Sequence, residues 1–346
     1  MTSTDPPRFR IIDAPSPFHR LERFAAAIGG RVDIWAKRED LLPLAFGGNK
    51  LRNLEFLVGA ALADGADTLV TSGRRWSNHC RLTAAAGTWA GLAVELVLSG
   101  PPAPGGEGPG IRLMRAYGAT VQQLATAERE ERAAAVDAVV ERLKAAGRRP
   151  YVIPVGGSGM PGVLGQVEAA RELGAQLGGT RPTTVYLPTA TGGTQAGLLA
   201  GVPTGIRVIG VVVARSADEL RPPIRTMLDE LGSRDVPDEA ITFDESQLGD
   251  GYGRPTGAAT EAAGLLARTE AILVDPIYTA KALAALVAAV RLGRHDGESI
   301  VFWHAGGTPG VLERLDQGSG ESHGSALTTS DDVTSTGHDR DEPGAT

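Results

Sequence analysis

The stretch Lys37-Arg38-Glu39-Asp40-Leu41 runs into Ala45-Phe46-Gly47-Gly48-Asn49-Lys50-Leu51-Arg52, delivering a single lysine from a glycine turn onto the start of a helix. The chain holds four lysines, Lys37, Lys50, Lys144 and Lys281, against thirty arginines, so where only a positive charge is needed it uses Arg. A lysine amine, unlike a guanidinium, can lose its proton and condense with an aldehyde. The two glycines allow close backbone approach to a planar ligand, and the apolar spacing after Lys50 reads as a buried helix. Lys50 is therefore the candidate nucleophile, the bland alternative being a solvated lysine on an ordinary turn. Further hydroxyl and amide groups follow turns: Ser77-Asn78-His79, Thr191-Gly192-Gly193-Thr194, Tyr252 and Tyr278. A buried tyrosine is ordinarily a core filler, but two of only five tyrosines follow Gly-rich or Pro-rich turns, which favours a site role. His79 is read either as a structural histidine or as a substrate contact.

These groups need a scaffold, and 346 residues with 42% hydrophobic content can bury one large or two ordinary cores. No run of about eighteen uncharged apolar residues appears, and the N-terminus lacks the basic and apolar regions of a signal peptide. A cytoplasmic protein with no membrane partner is expected. The lone cysteine, Cys80, rules out an intramolecular disulfide and reads as a packing residue. From Asp316 to Thr346 there are seven acids and one Arg, a net of −6, which leaves −7 − (−6) = −1 for the rest of the chain. The body is thus near neutral, with no basic stripe to engage nucleic acid. The other histidines, His19, His295, His304, His323 and His338, show no ligand spacing, so no metal is predicted. Residues 316–346 are expected to be a disordered acidic tail.

Along the chain the pattern predicts a short helix from Pro17 to Ala27, a strand from Val32 to Ala36, and from Asn53 onward strands alternating with helices. Such alternation is the signature of parallel sheets covered on both faces, an α/β fold. Pro101 to Gly110 is too rich in Pro and Gly for regular structure. Several strands end in a glycine cluster that opens the next helix, and in open α/β sheets ligands bind at such ends. Thr191 to Thr194 is the better phosphate cradle, because small residues expose N–H groups at a helix N-terminus and two hydroxyls add donors. A rival exists in Gly157-Ser158-Gly159-Met160-Pro161-Gly162, a dinucleotide-type spacing. It lacks the acid that should end the next strand, where Val185-Tyr186-Leu187 runs into Pro188-Thr189-Ala190-Thr191.

With Lys50 in its GGNK turn, Ser77-Asn78-His79, Thr191 to Gly197, Tyr252-Gly253-Arg254-Pro255-Thr256-Gly257 and Asp275-Pro276-Ile277-Tyr278-Thr279 in this order, the chain over about residues 10 to 315 resembles the pyridoxal-phosphate enzymes grouped as D-cysteine desulfhydrase and 1-aminocyclopropane-1-carboxylate deaminase. The resemblance implies a β-type (fold type II) enzyme: two open parallel-sheet α/β domains with pyridoxal 5'-phosphate between them, usually a homodimer. It implies a large cofactor-binding domain of residues 1–52 and 160–315 and a small domain of residues 53–159. In roles, Lys50 would hold the cofactor covalently, Asn78 its 3′ oxygen, and Thr191, Gly192, Gly193 and Thr194 its phosphate. Thr279 would face the pyridine nitrogen. Ser77, Tyr252 and Tyr278 would serve acid–base chemistry, and Ser77, Asn78 and His79 would contact a small amino-acid substrate. Three departures bear on that substrate: Arg74-Arg75-Trp76 before Ser77, Asn53 in place of a common phosphate-supporting lysine, and Ala305 in His304-Ala305-Gly306-Gly307. The leading expectation is a lyase or deaminase that releases a 2-oxo acid, ammonia and a β leaving group, with D-cysteine first. The alternatives are cyclopropane ring opening, sulfite elimination from cysteate, and a non-catalytic cofactor-binding protein. Where the deaminases carry Glu, the neutral Thr279 favours elimination over ring opening, because a carboxylate there would deepen the electron sink.

Overall fold

The computed structural model describes residues 6–29, 31–101 and 106–312, and the expected acidic tail lies outside them. In chain order the elements are β1 (Phe18–Arg20), α1 (Glu22–Ile28), β2 (Asp33–Arg38), α2 (Lys50–Ala63), β3 (Thr68–Arg74), α3 (Asn78–Trp89), β4 (Ala93–Ser99), α4 (Pro109–Ala116), β5 (Thr120–Leu124), α5 (Arg129–Ala145) and β6 (Pro150–Val152). They continue with α6 (Leu164–Gln176), β7 (Pro182–Thr189), α7 (Gly193–Gly201), β8 (Arg207–Val212), α8 (Ala217–Glu230), β9 (Thr242–Asp244), α9 (Gly257–Glu270), α10 (Thr279–Arg291) and β10 (Ser299–His304). Six strands form one sheet in the order β1-β2-β10-β7-β8-β9, parallel except for the edge strand β1, and four form an all-parallel sheet in the order β5-β4-β3-β6. The α/β parallel architecture expected from the alternation is what forms.

Both faces of the larger sheet are covered, as parallel strands require. Along β10, Ile300 and Phe302 pack with α1, α9 and α10, while Val301 and Trp303 point into the layer with α6 and α7. All four side chains are fully buried, each stabilising the fold by about 1.5–3 kcal/mol through area removed from water. The smaller sheet is covered by α2, α3 and α4 on one face and α5 on the other. The N-terminal arm packs there too: Ile11 and Ile12 join the α2 and α3 core, and both of their N–H groups donate to Glu55 Oε1 (2.7 and 2.9 Å).

One predicted element differs. The helix expected from Pro17 to Ala27 is a strand followed by a shorter helix, because Phe18 to Arg20 pair antiparallel with Lys37 to Trp35 and the Phe18 ring stacks on Trp35 at 5.0 Å. Sheet pairing here overrides a pattern that local spacing reads as helical. The three-residue strand β9 has too short a pattern to be seen in sequence. No helix among the described residues is long and apolar enough to cross a membrane.

A buried ion lattice ties the two layers together beneath α2. Arg52 donates to both Glu39 oxygens (2.9 Å each) and to both Glu172 oxygens (2.7 and 2.8 Å), and Lys37 bonds Glu172, the Ser16 carbonyl (2.9 Å) and Gln176 (2.6 Å). Burial alone would raise the Glu172 carboxyl, but Arg52 and Lys37 outweigh it and hold it down at about 2. Helices α2 and α6 approach here so closely that a Cβ on Gly165 would lie 1.9 Å from the Arg52 carbonyl oxygen.

Candidate active site

Four consecutive residues in left-handed backbone space, Ala45, Phe46, Gly47 and Gly48, form the turn that aims Lys50. The turn is held at several points: Arg81 donates to the Ala45 carbonyl, Gly48 N donates to Glu39 O (2.8 Å), and Asn49 N to Ala305 O (2.9 Å). A Cβ on Gly47 would meet the Asp40 carbonyl oxygen at 2.1 Å, so only glycine fits this fold-back. The Asn49 amide donates to Thr194 Oγ1 (2.8 Å), and Gln166 Nε2 donates to the Asn49 carbonyl (2.8 Å). Lys50, the first residue of α2, thereby hangs from both sheets.

The cavity that Lys50 enters encloses about 200 Å³ at the C-terminal ends of β3, β7 and β8 and the chain just beyond β10. It is where a parallel sheet places ligands. Lys50, Ser77, Asn78, His79, Thr191, Gly192, Thr194, Tyr252, Tyr278 and Thr279 all line it. Of the residues singled out in sequence, Gly193 is not on the wall, and a Cβ there would lie 2.6 Å from Ser158 Oγ behind it.

Among the lysines the contrast is sharp. Lys37 is locked in the ion lattice, Lys281 donates to Leu248 O (2.9 Å) and Lys144 pairs with Glu141 (2.9 Å). Lys50 Nζ has no hydrogen bond or ion pair among the described residues, and burial pulls its pKa down to about 8. With no carboxylate to hold its proton, this amine is the one prepared to act as nucleophile or base.

The first turn of α3 forms the facing wall. Ser77 caps the helix, its Oγ accepting from Cys80 N (3.2 Å), which leaves the Ser77 proton available. The N–H groups of a first helical turn lack intrahelical partners and suit a carboxylate. Thr71 Oγ1 donates its only proton to Ile153 O (2.8 Å), so at 3.0 Å it accepts from His79 Nε2–H. His79 Nδ1 is then an unprotonated buried acceptor with no partner among the described residues. Burial, reinforced by Lys50, lowers the His79 pKa to about 3, so the ring is neutral. Tyr252 and Tyr278 share a short hydroxyl–hydroxyl hydrogen bond, and burial raises both phenols, Tyr278 well above the ordinary range. Trp76 packs edge-on against Tyr252, its ring centroid 5.8 Å away.

On the larger sheet, Gly192 (φ 87°) turns β7 into α7. A Cβ on it would lie 2.6 Å from Ile224 in the core under α8, so only glycine fits the turn. Thr191 Oγ1 bonds Ser158 Oγ (2.5 Å). A helix N-terminus flanked by two hydroxyls has the donors to suit an anion such as a phosphate. Asn78 uses only its oxygen, 3.4 Å from Arg81, leaving its amide nitrogen for a ligand oxygen. Thr279 donates to Gly306 O (3.0 Å) and so turns only lone pairs toward the cavity. An unpaired amine, an anion cradle and a free amide along one cavity are a donor set that fits pyridoxal phosphate.

Sequence reasoning passed over several contributors. Asn49 and Gln166 look like ordinary helix-flanking polar residues, and only the fold sets them behind Lys50 and Thr194. Asp275 lies buried under the Tyr278 turn and accepts the N–H groups of Ile277, Tyr278 and Thr279. Its place in the Asp275–Thr279 block was the available signal. Of Arg74 and Arg75, only Arg74 lines the cavity; Arg75 turns away to bond the Pro101 carbonyl. Asn53 donates to Gly157 O (2.9 Å) and accepts from Gln166 behind the wall.

The chain is similar to known proteins. The chain is 39% identical over 316 residues to a D-cysteine desulfhydrase of Klebsiella pneumoniae (strain 342), covering 88% of this chain and 95% of that protein. It superposes on a crystal structure described as an ACC deaminase homologue with a TM-score of 0.78 at 32% identity, covering 90% of this chain and 95% of that one. An O-ureido-L-serine synthase variant shares the fold, with a TM-score of 0.65 at 17% identity over 91% of this chain and 94% of that one. The family model described as "Pyridoxal-phosphate dependent enzyme" matches residues 11–306, so the chain belongs to the family of pyridoxal-phosphate-dependent enzymes.

Proposed function

We propose that this enzyme is a lyase that converts a β-substituted amino acid, D-cysteine first, into pyruvate, ammonia and the β leaving group. The observation that carries the reading is an unpaired, buried lysine amine sharing one cavity with a hydrogen-bonded pair of tyrosine hydroxyls. The similarity to a D-cysteine desulfhydrase supports the choice of first substrate.

In this reading Lys50 holds the cofactor, Thr191 to Thr194 take its phosphate, with Gly193 contributing through its backbone, and the Asn78 amide takes the 3′ oxygen. The bound pyridoxal ring supplies the electron sink that lets a Cα–H bond ionise. The α3 N-terminus and the Ser77 hydroxyl orient the substrate carboxylate; His79, with its one proton engaged by Thr71, adds no donor to it. Lys50 Nζ takes the Cα proton, since an amine with a pKa near 8 has a substantial neutral fraction at working pH. The Tyr252–Tyr278 pair stays protonated and donates to the departing sulfur, so that hydrogen sulfide leaves rather than the hydrosulfide anion. Thr279, a neutral group with its proton engaged by Gly306, offers the ring less stabilisation than a carboxylate would. That suffices for a good β leaving group and falls short for cyclopropane ring opening.

The domain division at residues 52/53 and 159/160, a homodimer and a cytoplasmic location belong to the same reading. Two sheets support a two-domain division, but a boundary at 52/53 would cut α2, and Ile11, Ile12 and Leu51 pack in the core of the smaller sheet; sedimentation velocity and cell fractionation test the other two. The deciding assay measures pyruvate and ammonia from D-cysteine, L-cysteine and 1-aminocyclopropane-1-carboxylate. Elimination from D-cysteine with little or no ring opening is expected. Ring opening at an equal or greater rate would overturn the reading.

A further inference from the structure

Arg81 is the most deeply buried arginine among the described residues, 1% exposed, and stands on α3 one turn after Asn78. The other arginine buried nearly as far, Arg52, lies between two carboxylates, Glu39 and Glu172. Arg81 has no carboxylate partner among the described residues and meets only oxygens of neutral groups. Its Nη1 donates to the Ala45 carbonyl, and its Nη2 reaches the Gly47 carbonyl and Asn78 Oδ1, both at 3.4 Å. Its Nε has no partner among the described residues. Burial pulls its pKa down to about 10, which still leaves the group charged at neutral pH. A buried cation without an anion costs stability, and a neutral donor could serve two turn carbonyls at a lower cost. Holding the Lys50 turn is therefore not a sufficient reason for an arginine here.

The chemistry of the third contact supplies one. A guanidinium has five donors and no acceptor, so the Asn78 side chain must face it with its oxygen. The Asn78 amide nitrogen is then turned away from Arg81, and Asn78 lines the cavity. An asparagine with no such neighbour can offer a ligand either end of its amide; one held by a donor-only group offers the donor end. We propose that Arg81 is a positioning residue that fixes the Asn78 amide with its nitrogen toward the 3′ oxygen of the cofactor, and thereby keeps that oxygen ionised. The inference rests on the placement of the 3′ oxygen at Asn78 read above, and it is independent of which amino acid reacts. An N–H donor stabilises an oxyanion, whereas a carbonyl oxygen in the same place repels it and is satisfied only by a protonated ring oxygen. The same rigid, planar group also grips the turn that aims Lys50, so one side chain sets the spacing between the amine and the amide that hold the two ends of one ligand. Arg81 touches neither cofactor nor substrate in this role and takes part in no covalent step.

Bound pyridoxal phosphate absorbs in the visible when its ring oxygen is ionised and in the near ultraviolet when that oxygen is protonated. The ratio of the two bands on the holoenzyme therefore reads the proposal without any turnover. Arg81→Met should lower the visible-to-ultraviolet ratio by about tenfold to a hundredfold, the loss expected for one hydrogen bond to a charged oxygen. Arg81→Lys, again a donor without an acceptor, should restore most of it. Asn78→Ala should lower the ratio as far as Arg81→Met does, and adding Arg81→Met to Asn78→Ala should change it by no more than about twofold, because residues that act through one another are not additive. A role confined to the turn would slow capture of the cofactor by Lys50 and leave the ratio of Arg81→Met at the wild-type value, which would overturn the proposal. An equal fold-loss from Arg81→Met with and without Asn78→Ala would overturn it too. If Arg81→Met does not fold, Arg81→Gln, an amide with both donor and acceptor, carries the same comparison: a lowered ratio supports the proposal and a wild-type ratio refutes it. A wild-type ratio in Asn78→Ala would move the 3′ oxygen elsewhere and end both the placement and the proposal. A lowered ratio there with an unchanged one in the Arg81 variants ends the proposal alone.

Discussion

Stripping the cofactor and titrating the apoprotein with pyridoxal phosphate at different pH values should expose the buried amine directly. With its pKa pulled from 10.5 to about 8, about one Lys50 in ten is neutral at pH 7, against about one in 3,000 for an ordinary lysine. That is a gain of about 300-fold in reactive amine, from burial without a compensating acid. The capture rate should therefore rise about tenfold per pH unit up to roughly pH 8 and then level off. Borohydride fixes the captured group, and peptide mapping locates it. The label should appear on Lys50 alone, because Lys37, Lys144 and Lys281 each have an acceptor within the described structure. Label on any of those three would refute the site assignment. A rate still climbing toward pH 10 would refute the electrostatic argument while leaving the site intact.

Replacing Tyr278 by Phe should cut turnover by about 10²–10⁴-fold while the absorption of the bound cofactor stays in place; an unchanged kcat would remove the hydroxyl pair from the chemistry. Glu172 has a pKa depressed from 4.5 to about 2, so its contribution is fully present above about pH 4.5 and is lost as pH falls through about 2. It amounts to about 3 kcal/mol at most. Urea unfolding from pH 5 to pH 2 should show this slope in the wild type and a shallower one in Glu172→Gln. Gly165→Ala forces a Cβ onto the Arg52 carbonyl oxygen at 1.9 Å, and overpacking of this kind should cost about 1–3 kcal/mol; a midpoint equal to that of the wild type would mean that α2 and α6 separate freely.

The alternation of strands and helices, the GGNK turn and the glycine clusters at strand ends were legible because each is local: periodicity fixes an element's type, and a glycine turn declares itself by composition. Lys50 stood out for the same reason, being a scarce residue type in a distinctive turn. What residue order could not reveal is which groups lose their partners on folding. Lys37 and Lys50 are lysines thirteen residues apart, yet one is neutralised by Glu172 and hydrogen-bonded by Gln176, both from α6, while the other is left alone in a cavity. Phe18 to Arg20 became a strand because Trp35 and its neighbours offered an edge, a contact that no local spacing encodes. Likewise Arg74 and Arg75 are adjacent and chemically identical, but the strand ends between them and only Arg74 lines the cavity, joined there by Arg129, Arg132 and Arg215 from segments up to about 140 residues away. Sequence determined the kinds of chemistry present; burial and proximity, which depend on the packed whole, decided which side chains carry a shifted charge into the same space.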